Sequence, residues 1–348
     1  MKLFNYFSKN IGIDLGTANS LVYVAGRGIV AREPSIAAVN NKTSQILAIG
    51  DEAKKMVGRT PAHITIIRPL VNGVISDFEM TQEMLKYFFK KIDAANNIFH
   101  YHRAVIGVPT GLTEVERKSV DDAVIGAGAH KAYVMEEPLA AALGAHLPIE
   151  EPTASMIVDI GGGTTEIAVI SMGGIVTSKS LKVAGDKLIA DIIRFAREEF
   201  KLVIGEPTAE ELKMTIGTAI PVDQKLEMPV RGRDMATGLP KEIIFRDSFV
   251  RAAIARSLKM MTDSVREVME ITPPELVGDI LKNGIYMCGG GSLLKGMDKL
   301  IERELMVPVR IIDEPMTAVV RGTGIACEDF DRYYSVVNNP LRPMDIKI

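Results

Sequence analysis

Apolar residues alternate with polar or small ones through NIGIDLGTANSLVYVAGRG, residues 10–28, and a glycine turn interrupts the alternation. That layout predicts a β-hairpin whose turn spans residues 14–19. ASMIVDIGGGTTEIAVISMGGI, residues 154–175, repeats it: apolar strand, Asp, apolar residue, glycine turn, Thr, apolar strand. Asp14 and Asp159 thereby take corresponding places. A chain of 348 residues has length for about two domains, so two such units suggest an internally duplicated architecture.

Elsewhere period-two runs give way to helical stripes. Residues 285–288 read as a buried strand, Gly289-Gly290-Gly291 as a tight turn, and Leu293, Leu294, Met297, Leu300 and Ile301 as a helical face. Residues 104–108 precede an amphipathic helix over 114–126 with apolar Val115, Val120, Ala123 and Val124. Residues 132–135 precede a helix over 138–146 whose Ala140, Ala141 and Ala142 permit close packing, as a hinge between two halves would need. Strands alternating with helices argue for an α/β fold. Residues 33–75 and 187–250 carry mixed patterns with more Pro, Gly and charge, and read as insertions on two central cores facing a cleft.

Composition narrows the classes. Hydrophobic residues make up 47% and charged residues 24%, enough for a sizeable core and against a disordered tail protein. The net charge of −3 offers no field for nucleic acid. No run of about 18 apolar residues occurs and the N-terminus lacks a secretory pattern, so a cytoplasmic protein is expected. Cys288 and Cys327 are too few for a disulfide framework.

The glycine turns carry the candidate chemistry. Gly16-Thr17-Ala18-Asn19 and Gly161-Gly162-Gly163-Thr164-Thr165 each offer backbone N–H groups that can approach phosphate oxygens, beside small hydroxyls. Each follows a carboxylate at a strand end. Asp14 and Asp159 facing across a cleft would suit a hydrated Mg²⁺. The alternative is a pair of ordinary glycine turns with Asp as a turn residue. No G-x-x-x-x-G-K-[ST] loop, no complete G-x-G-x-x-G and no H-E-x-x-H is present, which disfavours P-loop, dinucleotide and zinc-hydrolase readings; His63, His130 and His146 read as surface or structural.

The paired Asp-x-Gly loops and the GGGS turn resemble the actin/Hsp70/sugar-kinase ATPase superfamily. IGIDLGTANS, EEPLAAALGA, VDIGGGTTEIAVIS, TPPELVGDI and GIYMCGGGSLLKG resemble, more narrowly, the MreB family of bacterial actins, in order over nearly the whole chain. The resemblance implies a duplicated actin-like ATPase fold with two lobes around a nucleotide cleft. It puts the first lobe at 1–148, with 322–348 returning to it, and the second at 149–321. It implies ATP and Mg²⁺ as ligands. Thr17, Ala18 and Asn19 match the first phosphate loop, and Gly162, Gly163 and Thr164 the second. Glu210, Glu211, Leu212 and Lys213 match the segment beside ribose and adenine, and Gly290, Gly291, Ser292 and Leu293 the adenine-side turn. Gly185-Asp186 resembles a further ribose-side position. Glu136 matches the residue that positions the hydrolytic water, with Thr164 as helper; Glu137 better suits the helix dipole. Asn72 stands where the family usually has an acid, and Ser20, Thr215 and residues 187–189 also depart from its pattern.

Two segments concern surfaces. Leu3, Phe4 and Phe7 lie at helical spacing beside Lys2 and Lys9, as in a short interfacial helix. Ile98 and Phe99 resemble the family's membrane-inserting loop. Burying Leu3, Phe4, Phe7 and Phe99 gives roughly 8 kcal/mol gross, and ordering nine residues costs a comparable amount. Attachment should therefore grow with polymerisation, through avidity. The resemblance implies a weak ATPase forming filaments on the inner face of the cell membrane. There it would act with itself and with membrane-embedded cell-wall elongation and morphogenesis proteins, organising wall synthesis and rod shape. The alternative is a non-filament, plasmid-segregating or division member of the superfamily.

Overall fold

The computed structural model describes residues 9–93 and 101–338. Two five-stranded sheets follow one plan. The first runs, in spatial order, Ala129–Glu136, Tyr101–Val108, Lys9–Leu15, Asn19–Val24 and Gly28–Pro34. The second runs Val309–Ile311, Ile285–Cys288, Ser155–Ile160, Thr165–Ser171 and Gly174–Leu181. Each central strand pairs antiparallel with the next strand in sequence and parallel with a strand from much later in the chain. The duplication expected from two short motifs thus extends over whole sheets.

Local chemistry explains the elements. Ser155–Ile160 and Thr165–Ser171 are buried throughout, so they read as continuous apolar runs, whereas the edge strand Gly174–Leu181 is largely half-buried or exposed. Helix Glu114–Ala127 opens with a capping box: the Glu116 backbone N–H donates to Thr113 Oγ1 (3.2 Å), and the Thr113 N–H donates to the Glu116 carboxylate (2.8 Å). Pro138 sits in the first turn of helix Glu137–Gly144, where its missing N–H costs nothing.

Two helical expectations change. Val115 is 76% exposed, and the buried stripe of its helix is Val120, Ala123 and Val124. Leu293 and Leu294 do not join the later helix, which covers Met297–Leu305. Gly290–Leu293 form a separate 3₁₀ turn, and Gly296, at φ 78°, breaks the chain direction before Met297.

Each sheet carries a smaller addition. In the first, Ala37–Asn40 lies between Gln45–Ile49 and Ile64–Ile67, over a small core of Ile36, Ala38 and Ala53. In the second, Leu202–Val203, Glu227–Asp234 and Pro240–Arg246 form a three-stranded sheet. Helices Gly185–Phe200 and Glu206–Ile216 adjoin it.

Each sheet has its own core, and a third core joins them. Val105 and Met135 reach it from the first sheet, Ile157 and Ile170 from the second, and Leu139–Leu143 and Val319 from helices Glu137–Gly144 and Ala318–Glu328. The two helices pack backbone to backbone. A Cβ at Gly322 would lie 1.8 Å from the Ala140 carbonyl oxygen, and one at Gly144 2.0 Å from that of Ala318. Helix Ala318–Glu328 also fastens to the first sheet: Cys327 Sγ donates to the Ile11 carbonyl (2.8 Å), and Asn10 Nδ2 donates to the Cys327 carbonyl (3.2 Å). Much of the methionine is core filler: Met84, Met135, Met156, Met261, Met287 and Met297 are buried.

Leu3, Phe4, Phe7, Ile98 and Phe99 lie outside the described residues. Among the described residues, no helix is long and apolar enough to cross a membrane.

Candidate functional site

A cavity of about 390 Å³ is lined from both sheets, where the two central strands end. Asp14 and Asp159 lie on its wall, each one residue before its strand's last position.

The two glycine loops close one end. In the first, the Gly16 carbonyl accepts from Ser35 Oγ (2.6 Å), and Thr17 Oγ1 accepts from the Gly73 N–H (2.9 Å). In the second, the Gly161 N–H donates to the Thr164 carbonyl (2.9 Å). The Gly161 and Gly162 carbonyls accept from the N–H groups of Gly185 (3.1 Å) and Asp186 (2.8 Å), which open helix Gly185–Phe200. The loops face each other closely. A Cβ on Gly162 would meet Ala18 Cβ at 2.6 Å, and one on Gly163 would meet Thr17 Oγ1 at 2.6 Å. Thr17, Ala18, Asn19, Gly162, Gly163 and Thr164 all line the cavity.

The other expected segments reach it in part. Glu210 and Lys213 line the cavity, while Glu211 is exposed and Leu212 is buried in the second core. A helical repeat of 3.6 residues puts positions 210 and 213 on one face and turns the two between them away. Gly290, Gly291 and Leu293 line the cavity. Ser292 is buried instead, its Oγ donating to the Gly289 carbonyl (2.7 Å) and so holding the turn. Gly185 and Asp186 line it too.

The carboxylates carry the electrostatics. Burial, then the charge of Asp159, pushes Asp14 up to about 8. Burial, then Glu166, pushes Asp159 up to about 7, against a hydrogen bond from Cys288. Burial raises Glu137 well above the usual range, with Glu166, Asp14 and Asp159 adding to the effect. Glu166 is anchored by Thr110 Oγ1 (2.7 Å), the Thr110 N–H (3.1 Å), Ser180 Oγ (2.6 Å) and the Thr164 hydroxyl. Burial lowers the Lys213 ammonium, whose Nζ lies 3.4 Å from the Gly185 carbonyl.

Of the adjacent acids Glu136 and Glu137, the cavity wall includes only Glu137. Glu136, the expected water-positioning residue, is buried beside that wall; burial pushes it up to about 7, and Arg117 opposes the shift. Glu136 ends strand Ala129–Glu136 and Glu137 opens helix Glu137–Gly144; the charge of Glu166 reaches both, and that of Asp14 and Asp159 bears on Glu137.

Sequence reasoning also missed Gly73, Met214, Arg32 and Met316 on the wall. Gly73 had a signal: Asn72-Gly73 separates Leu70–Val71 from Val74–Ile75, the pattern of a two-residue hairpin. Asn72 has φ 50° and Gly73 φ 78°, as such a turn demands. Arg32 and Met316 had none, since their contact (Nη2 to Sδ, 3.3 Å) joins distant parts of the chain.

The family model described as MreB/Mbl protein matches residues 8–335. The cell shape-determining protein Mbl of Bacillus subtilis (strain 168) is 46% identical over 326 residues, covering 94% of this chain and 98% of the relative. The cell shape-determining protein MreB of Escherichia coli (strain K12) is 42% identical over 336 residues, covering 95% and 97%. Among solved structures, MreB 5 of Spiroplasma citri bound to AMPPNP superimposes with a TM-score of 0.89 at 40% identity, covering 94% of this chain and 98% of that one. The MamK double helical filament, at 22% identity, shares the fold with a TM-score of 0.78, covering 92% and 99%. A model matched along nearly the whole length, and relatives above 40% identity, show that the chain belongs to the MreB/Mbl family.

Proposed function

We propose that the chain is an ATP-dependent, actin-like cytoskeletal protein with weak ATPase activity, whose filaments lie on the inner face of the cell membrane and help set cell shape. The observation that carries this reading is the meeting of two matched glycine loops, one from each half, at one end of a single cavity. A nucleotide held there would touch both halves, so its binding and loss would change how they sit together. Thr17, Ala18, Asn19, Gly162, Gly163 and Thr164 are assigned to the phosphates. Glu210, Lys213, Gly290, Gly291 and Leu293 are assigned to ribose and base. Relatives named as cell shape-determining proteins, and related structures with AMPPNP and with ADP, support the reading.

Two buried carboxylates raised by burial and by neighbouring acids favour a cation as counter-charge. Among the described residues, no three His, Cys, Asp or Glu side chains are grouped to hold a metal on their own. Asp14 and Asp159 would therefore hold Mg²⁺ through water and share it with phosphate oxygens. When bound, Mg²⁺ would neutralise charge on the phosphates.

The chain's own groups supply the rest. The loop N–H groups fix the phosphates, and the glycines let the backbone approach closely. Glu137 on the wall takes the water-orienting role first assigned to Glu136. When ionised, its carboxylate can accept a hydrogen bond from that water and orient it for in-line attack. The Thr164 hydroxyl, bonded to Glu166, sits on the same wall.

Ultracentrifugal pelleting with electron microscopy, with and without ATP and Mg²⁺, tests the reading. Nucleotide-dependent filaments are expected. A strictly monomeric chain in every nucleotide state would overturn the filament assignment in favour of a non-filament member of the superfamily.

A further inference from the structure

The additions to the two halves meet above the cavity through charge. Lys54 closes the short helix Asp51–Lys54 of the first addition, and Arg68 follows strand Ile64–Ile67. Both reach helix Glu206–Ile216 on the opposite side. Lys54 Nζ lies 3.2 and 3.3 Å from the two oxygens of Glu210, and Arg68 Nη2 lies 2.7 Å from Glu206 Oε2. Glu206 and Glu210, one helical turn apart, present their carboxylates on one face to these cations. The same helix supplies Glu210 and Lys213 to the cavity wall. Arg68 also stands just before the hairpin whose turn meets the phosphate loops: a Cβ on Gly163 would lie 2.9 Å from Asn72 Cα.

We propose that Lys54 and Arg68 are positioning residues that latch helix Glu206–Ile216 across the cleft and so slow nucleotide release. This rests on the nucleotide reading above. With the latch made, Glu210 is held toward the cavity and the two additions cannot separate. Release requires both pairs to part. The pairs are partly exposed, with side chains 33–50% accessible, so each shifts opening by about 1.5- to 5-fold and is weakened by salt. A weak latch suits a protein that must exchange nucleotide.

The test is displacement of a fluorescent ATP analogue from the full chain with Mg²⁺, followed by stopped flow in low and high KCl. Arg68→Glu and Glu206→Arg should each release the analogue about 3- to 20-fold faster in low salt, with unchanged thermal unfolding. The double swap Arg68→Glu/Glu206→Arg should return release to within twofold of the parent. High salt should shrink the differences. Lys54→Ala should show a smaller acceleration of the same kind. Equal release rates in all variants, or a double swap no slower than the single variants, would overturn the latch while leaving the nucleotide site standing. A parent chain that binds no analogue would overturn the nucleotide reading, and the latch with it.

Discussion

Asp14 and Asp159 occupy the same position in two copies of one sheet. Asp14 lies opposite Leu21 on its antiparallel neighbour and Gly107 on its parallel one; Asp159 lies opposite Glu166 and Cys288 in the same arrangement. The backbone plan is therefore symmetric and the chemistry is not. Glycine stands beside the first aspartate, and a second acid and a thiol beside the other.

That crowding of acids costs stability in the free protein. Both carboxyls titrate higher when folded than when unfolded, so folding is penalised as pH rises above the unfolded carboxylate range, and the penalty is complete once pH passes about 8. Asp14→Asn removes its share. In the absence of nucleotide at pH 7.5, calorimetry should show the variant more stable than the parent, by up to about 5 kcal/mol. Titration with a fluorescent ATP analogue and Mg²⁺ should show at least tenfold weaker binding. Lower stability together with unchanged binding would contradict the placement of Asp14 in the site.

Glu136 and Glu137 should separate in a pair of variants. Glu137→Gln is expected to retain ATP and to lower single-turnover phosphate release by about 10²-fold. Glu136→Gln should change it by no more than a few-fold. The reverse ranking would restore the water-positioning role to Glu136.

Glycine at the crossing of helices Glu137–Gly144 and Ala318–Glu328 should be indispensable. Gly322→Ala forces a methyl to within 1.8 Å of the Ala140 carbonyl and should cost about 3 kcal/mol or more in denaturant unfolding. Gly278, inside helix Pro274–Asn283, has nothing within 4 Å of where its Cβ would lie. Gly278→Ala should stabilise by about 0.5–1 kcal/mol. Equal effects at the two sites would deny the close helix crossing.

Membrane attachment makes its own prediction. ATP-driven assembly should increase co-flotation with liposomes, and deletion of residues 1–9 should reduce it, with Ile98→Ser and Phe99→Ser reducing it further. Flotation unaffected by all of these changes would rule out the two segments as anchors.

Much of this was legible in the chain because it is local. Alternation around a glycine turn fixes a hairpin within a few residues, and its repetition at 154–175 announced the second sheet. Gly16 and Gly161 are crowded by their own loops, at Asn19 and Thr164, so the turns at the phosphate end could be read directly, whereas Gly162 and Gly163 are crowded by Ala18, Thr17 and Asn72 from the other half. Helix Glu114–Ala127 was marked by the spacing of Val120, Ala123 and Val124, and strand Ile285–Cys288 by its apolar run. Tertiary packing decided what depends on direction or on distant partners. Which of Glu136 and Glu137 meets the cavity depends on the side a strand end presents, and which of residues 210–213 do so depends on a helix's rotation. Gly144 and Gly322, like Lys54 and Glu210, meet only when two halves of the chain are laid together. Such contacts leave no periodic trace in sequence, because the free energy that selects them comes from burying and pairing groups far apart along the backbone.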